Sequence, residues 1–467
     1  MGKLLGTYLM PHPPIMLKEI GMGEERKIQD TIDACNKIGE EIKKLKPDTI
    51  IVVTPHGTVF SDAMAITYDY RISGSLSKFG ASDVEFDFNI NRDLTDKICT
   101  YAHKDNILVA RINGKTAIQY EVEYELDHGV MVPLYFVKDK YNDFNIVHIT
   151  YGMLPKMSLY KFGRCIKKAI EESDLNAVFI ASGDLSHKLK NEGPYEYSSY
   201  GEKFDKEIIS LLQNGDVMGV FSMDNRMIEE ASECGLRSIY MMLGVMNKCD
   251  IKGDLLSYEG PFGVGYGVMR FECRDVELDM YKEMINKREK EYEERIKNAD
   301  PYVRLARESL IYYLIHGEHL NIPNYVVDEM KEEARGVFIS LKIDGQLRGC
   351  IGTMLPMTES IASEIIRNAI EAGQSDPRFA PVKEEELKDI SFSVDVLTKP
   401  EISNKEELDP KKYGVVVRHS GKTGVLLPDL EGIDTVEQQL SIALQKGGIS
   451  TSQDYTIEKF EVIRHKE

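Results

Sequence analysis

Thr49-Ile50-Ile51-Val52-Val53-Thr54 is the stretch that most narrows the choice of fold. An unbroken β-branched run reads as a strand buried on both faces, which requires covering layers above and below a sheet. Lys3 to Met10 reads as an earlier strand, ended by Pro11-His12-Pro13-Pro14 because consecutive prolines cannot stay in a ladder. Between the two, Glu24 to Leu45 carries Ile28, Ile32, Cys35, Ile38, Ile42 and Leu45 at helical spacing, with charges elsewhere. Strand, helix, strand in this order is a βαβ unit and predicts parallel pairing. Further strands are expected at Val130 to Val137, Asn145 to Thr150 and Asn176 to Ser182. Helices are expected at Arg92 to His103, Leu159 to Glu172, Tyr200 to Leu212 and Glu229 to Met246. Phe60 to Phe88 is irregular and strand-like in parts. The expected first domain, residues 1–274, is therefore α/β, with a mainly parallel central sheet flanked by helices.

Four of the chain's 10 histidines occupy similar short settings. They are Met10-Pro11-His12-Pro13-Pro14, Thr54-Pro55-His56-Gly57, Asp127-His128-Gly129 and Gly183-Asp184-Leu185-Ser186-His187. Three directly follow a predicted strand, and His128 precedes one. Strand ends are where an α/β sheet places its chemistry, and imidazole is both the commonest metal ligand and a proton carrier near neutral pH. Any one of the four could serve a local turn; all four together argue for one convergent site. His12 and His56 form the natural pair, on strands expected to be neighbours. Two imidazoles and a carboxylate make a facial triad that leaves positions open on iron(II). Glu259, in Tyr258-Glu259-Gly260 at the end of the last apolar strand, is the carboxylate expected to complete it; an ordinary loop acid is the plainer alternative. Asp184 competes for that place, or caps its turn and orients His187. His128 and His187 are left for proton transfer and substrate polarisation.

Composition removes other functions. The formal net charge of −19 argues against nucleic-acid and anionic-membrane partners, which need basic patches. No signal peptide or membrane span is legible, so a cytoplasmic protein is expected. The 7 cysteines are scattered and form no C-x-x-C pair, which argues against a disulfide framework or a thiolate metal site. A metal would then be held by nitrogen and oxygen, as suits iron(II), manganese or zinc. The glycine-rich Ser257 to Gly267 run lacks the strand–GxGxxG–helix context of a dinucleotide site.

From Asp275 the chain becomes densely charged, and residues 275–299 read as a solvated linker helix. Residues 300–467 follow as an α+β domain. Helices are expected at Asp300 to Ile315, Met357 to Ala372 and Val436 to Gln445. Strands are expected at Gly336 to Ile343, Leu347 to Gly352, Ile390 to Leu397, Tyr413 to Arg418 and Gly424 to Leu427, with Asp344-Gly345 as a two-residue hairpin turn. In Leu347-Arg348-Gly349-Cys350-Ile351-Gly352, Arg348 offers a fork for anions, Gly349 a close backbone approach, and Cys350 reads as a small buried hydrophobe rather than a nucleophile.

The four histidine motifs resemble the class III extradiol ring-cleavage dioxygenases (LigB-type) and the related Memo family, over residues 1 to 272. The resemblance implies that His12, His56 and Glu259 bind iron(II), with zinc or manganese as alternatives. It also implies that His187 is the acid/base and that His128 lies near the substrate. The reaction implied is dioxygen insertion into a catechol-like substrate. Gly345 to Thr353 and Ser375-Asp376-Pro377-Arg378-Phe379-Ala380-Pro381-Val382 resemble the AMMECR family over 300 to 465. The fused layout is similar to the AmmeMemoRadiSam system. That similarity implies a second role, a Memo-like metal-binding protein acting with its AMMECR domain and a radical-SAM partner in a modification pathway, without ring cleavage. A metal-dependent hydrolase using the same donors is a third reading. The substrate is a small aromatic or another molecule, and a homo-oligomer stays open.

Overall fold

Every residue of Thr49–Thr54 is buried, and its side chains enter two separate cores, Ile51 and Val53 in one and Ile50 and Val52 in the other. Such two-sided burial belongs to the middle of a sheet with layers on both faces. The computed structural model describes residues 1–343, 345–430 and 432–467. The chain divides into two compact units, Met1–Met284 and Ile285–Glu467.

The strands of the first unit are β1 (Lys3–Met10), β2 (Thr49–Thr54), β3 (Met64–Thr67), β4 (Arg71–Leu76), β5 (Ala81–Asn89), β6 (Val109–Ile112), β7 (Asn145–Thr150), β8 (Asn176–Ser182), β9 (Cys249–Glu259) and β10 (Tyr266–Asp275). Eight of them form one sheet in the order β6-β3-β7-β2-β8-β1-β10-β9, while β4 and β5 pair separately. The central β7, β2, β8 and β1 are parallel, and β10 and β9 close one side antiparallel. The α/β class with a mainly parallel centre is thus the observed one. One face is covered by Lys156–Glu171, Leu236–Val245, Arg92–Lys104 and Ser199–Gln213, and the other by Gln29–Leu45 and His128–Lys138.

Four expectations need correction. β1 and β2 are not neighbours, because β8 lies between them. Val130 to Val137 is not a strand but most of the helix His128–Lys138, nearly all buried. A short apolar run carries no periodicity to separate a buried helix from a buried strand. Glu229 to Met246 is not one helix but two, Asn225–Ala231 and Leu236–Val245, broken at Ser232-Glu233-Cys234-Gly235. Cys249 and Cys273 form a disulfide joining β9 to β10; their spacing in sequence hid the antiparallel register that brings them together.

In the second unit, β11 (Val337–Ile343), β12 (Gln346–Gly352), β13 (Ile390–Leu397) and β18 (Val462–Lys466) make one antiparallel sheet. β14 (Glu401–Ser403), β15 (Gly414–His419), β16 (Lys422–Leu426) and β17 (Thr456–Phe460) make another. Pro301–His316 and Ile361–Gln374 pack on the first sheet and Val436–Gly447 on the second, an α+β arrangement. The turn expected at Asp344-Gly345 falls partly outside the described residues, at Asp344. Among the described residues no helix is long and apolar enough to cross a membrane.

Candidate metal centre

Three parallel strands end level with one another. Met10 of β1 pairs with Ser182 of β8, and Val53 of β2 pairs with Ala181 of the same strand. The loops that follow therefore leave the sheet at one edge, and they carry His12, His56 and the Gly183–His187 turn. His12 is 2% exposed. Its backbone N–H donates to Asp184 Oδ1 at 3.0 Å and its Nδ1 lies 2.9 Å from Ser182 Oγ. Its Nε2 lies 2.9 Å from His56 Nε2, 3.6 Å from Cys234 Sγ and 3.8 Å from Asp184 Oδ2. His128, the first residue of its helix, stacks on His56 with ring centroids 4.1 Å apart.

Cys234 was not among the expected donors. It sits in the helix break, where Ser232 is left-handed at φ 52°. The break is pressed onto the end of β8: a Cβ on Gly183 would lie 2.2 Å from Gly235 Cα. Asp184 N donates to Cys234 Sγ at 3.3 Å, and His187 N donates to Ala231 O at 3.0 Å. One donor atom each from His12, His56 and Cys234 lies within 4.8 Å of the others, and the same holds for Asp184, His187 and Cys234. A sulfur thus stands beside the nitrogen and oxygen donors that the sequence led us to expect.

Glu259 is not brought into either group. Its Oε2 accepts from Thr31 N at 2.7 Å and from Thr31 Oγ1 at 2.6 Å. Thr31 lies in the first turn of Gln29–Leu45, whose own N-cap, Ile28, offers no side-chain bond. Glu259 thus caps a helix from a distant strand and places its charge at the positive end of the helix dipole.

The donor set fits a metal ion. With metal–nitrogen bonds of about 2.0–2.1 Å and a metal–sulfur bond of about 2.3 Å, adjacent nitrogens stand about 2.9–3.4 Å apart and sulfur and nitrogen about 3.1–3.6 Å apart. The observed 2.9 and 3.6 Å separations match these bites. Burial pushes the His12, His56 and His187 imidazoles below their ordinary range, and burial together with His12 and His56 pushes His128 down to about 3. All four are therefore neutral at neutral pH, the form that binds metals and accepts protons. Burial raises the Asp184 carboxyl to about 6 and the Cys234 thiol well above its usual value. A nearby cation is what would make Cys234 a thiolate.

Beside the cluster lies a cavity of about 560 Å³, lined by His56 and His128 together with Asp127, His148, Phe79 and Met131. His148, in the middle of β7, joins Thr67 Oγ1 through Nδ1 at 2.9 Å and Asp127 Oδ2 through Nε2 at 3.2 Å. Burial raises the Asp127 carboxyl, but the hydrogen bond and charge of His148 outweigh it and hold the group near about 2. Neither residue was singled out in the sequence, although a lone histidine inside an apolar strand is itself an unusual signal. The His187 ring stacks against Tyr195 at 5.9 Å, and its Nε2 is buried without a hydrogen-bond partner.

In the second unit the motif residues hold one another. The Arg348 guanidinium pairs with Glu386 at 2.8 and 3.0 Å, so the fork expected for an external anion is occupied. Gly349 is pressed to the next helix, with a Cβ there falling 2.1 Å from Ala372 O. Cys350 is half-buried, its N–H donating to Asp376 Oδ2 at 2.8 Å and its sulfur accepting from Ser340 Oγ at 3.3 Å. Arg378 clamps the same carboxylate, at 2.9 and 2.7 Å.

The family model described as the catalytic LigB subunit of aromatic ring-opening dioxygenase matches residues 6–269, and the AMMECR1 family model matches residues 303–465. A protein of Clostridium acetobutylicum is 53% identical over 99% of both chains. A shorter Thermotoga maritima protein is 47% identical, the match covering 36% of this chain and 97% of the other. A crystal structure of a Pyrococcus horikoshii protein is 30% identical, covering 35% of this chain and 88% of that one with a TM-score of 0.31.

Proposed function

The chain belongs to the family of the catalytic LigB subunit of aromatic ring-opening dioxygenases, with an AMMECR1 domain following, and on that premise we propose that its first unit is a metal-dependent oxidoreductase acting on a small aromatic molecule. The observation that carries this reading is the convergence of His12, His56 and Cys234 at metal-ligand separations beside a cavity large enough for a single aromatic ring. Iron(II) is the metal proposed; zinc and manganese are alternatives, and a thiolate donor favours the first two. When bound, such an ion supplies a Lewis-acidic and redox-active centre with open positions.

The chain's own residues do the rest. Phe79, Met131 and the flat face of His128 offer apolar contact to a planar ring. His128, neutral and lining the cavity, is available to polarise a ring hydroxyl by hydrogen bonding. His187, neutral and unpaired at Nε2, is the second proton carrier, and Asp184 beside it holds the His12 backbone. His148 and Asp127, hydrogen-bonded to each other, form part of the cavity's lining beside His128.

A second reading is favoured by one observation, the thiol where a ring-cleaving facial triad would have a carboxylate. In it the site is Memo-like, and the protein acts with its AMMECR1 domain and a radical-SAM partner without ring cleavage. Metal analysis after anaerobic loading with iron(II), followed by oxygen uptake with protocatechuate and simple catechols, separates the two. One iron per chain with uptake and a ring-opened product supports the dioxygenase reading. Stoichiometric metal with no uptake overturns it in favour of the second, and no metal in any preparation overturns both.

A further inference from the structure

Pro133 stands inside the helix His128–Lys138. An α-helix uses the N–H at each position to bond the carbonyl four residues earlier, here that of Gly129. Proline has no N–H, and its ring crowds that carbonyl. Gly129 is buried, so a carbonyl left alone there would be costly. Its partner comes from another element: the hydroxyl of Ser182, at the end of β8, donates to Gly129 O.

That donation has a consequence one bond further on. A serine hydroxyl has one hydrogen, and Ser182 is fully buried, so no solvent redirects it. With the hydrogen directed at Gly129, Ser182 Oγ can only accept from its other neighbour, His12 Nδ1, 2.9 Å away. His12 must then carry its hydrogen on Nδ1. A neutral imidazole has only one, so Nε2, the atom facing His56 and Cys234, is left with its lone pair.

We propose that Ser182 sets the tautomer of His12, and that Pro133 permits it by leaving the Gly129 carbonyl free to orient the Ser182 hydroxyl. Both are positioning residues. The purpose of the arrangement rests on the reading of His12 as a metal donor, since a hydrogen bond on the far nitrogen orients a histidine ligand and raises its basicity. The hydrogen-bond chain itself does not depend on that reading.

The test uses the full chain with ¹⁵N-labelled histidine, metal-free, with long-range ¹H–¹⁵N correlation to read both ring nitrogens, followed by cobalt(II) titration. Wild type should show His12 protonated on Nδ1 and bare on Nε2. Ser182→Ala should populate the Nε2–H tautomer and weaken cobalt(II) binding about 10- to 100-fold. Ser182→Thr, which keeps the hydroxyl, should restore both. Pro133→Ala returns a competing N–H to Gly129 and should shift the tautomer part of the way. An Nε2-protonated His12 in wild type, or an unchanged tautomer in folded Ser182→Ala, overturns the proposal; an unchanged tautomer in Pro133→Ala removes Pro133 from it. A wild type with the expected tautomer but no cobalt(II) uptake would support the chain of hydrogen bonds and sink the metal reading instead.

Discussion

The Nε2 atoms of His12 and His56 face one another at 2.9 Å although their strands, β1 and β2, are separated by β8. Both loops lean over the end of the intervening strand, and the Gly183–His187 turn and Cys234 close the space from below. His12→Ala, His56→Ala and Cys234→Ala should each abolish stoichiometric metal binding with the fold intact. Glu259→Ala should keep the metal and instead lower stability by about 1–2 kcal/mol, through the lost helix cap. Metal content and urea melts of the four variants check this. Full metal retention in Cys234→Ala, or its loss in Glu259→Ala, would reverse the assignment.

His187→Ala should leave metal content unchanged and remove turnover. Its ring nitrogen is buried and unpaired, and its backbone is held to Ala231 O whatever the side chain. Single-turnover rates on metal-loaded protein decide the point, and unchanged rates would exclude His187 from proton transfer.

Asp205 should make the first unit less stable as the pH rises. It is fully buried, accepts from Ser186 N at 2.8 Å and Tyr258 OH at 2.7 Å, and burial raises its carboxyl to about 7. The unfolded value is about 3.9, so the native state holds the proton more tightly. That contribution is fully present below about pH 4, declines as the pH climbs to about 7 and is absent above it, a change of a few kcal/mol at most. Denaturant melts at pH 5 and pH 8 should differ less in Asp205→Asn than in wild type. An equal difference in both proteins would refute the shift.

Cys249 and Cys273 close a loop of 24 residues. Loop-closure entropy gives such a link about 3 kcal/mol, an upper value here because the β9–β10 ladder already holds the two strands together. Reductant should therefore lower the melting temperature of wild type and leave Cys249→Ser/Cys273→Ser unaffected. Equal melting temperatures of wild type with and without reductant would show the bond to be idle.

What the sequence could carry is what repeats locally. The β-branched run at Thr49–Thr54 and the helical spacing of Ile28 to Leu45 are properties of neighbours along the chain, and the α/β frame follows from them. Short motifs likewise marked His12, His56 and His187, because a turn after a buried strand leaves a local signature, and His128, which stands at the start of a buried apolar run. The α+β class of the second half was legible for the same reason.

The remaining site residues have no local signature. Cys234 lies in a segment that reads as one continuous helix, whereas the chain breaks between Ser232 and Gly235, packs Gly235 against Gly183 and brings the thiol within 3.6 Å of His12 Nε2. The sequence pointed to Glu259 or Asp184 as the third donor; the position of Thr31 at the start of a distant helix takes Glu259 away, while Asp184 Oδ2 lies 3.8 Å from His12 Nε2. Val130 to Val137 reads as a strand in sequence, and only the helix that forms there, with Pro133 inside it, leaves Gly129 O for Ser182. The sequence by itself determined the frame and the four histidines, because periodicity and turn chemistry act between neighbours. The approach of Cys234 to His12, the cavity lining and the pairing of Ser182 with both His12 and Gly129 were decided by tertiary structure alone, because each depends on a contact between residues far apart in the chain.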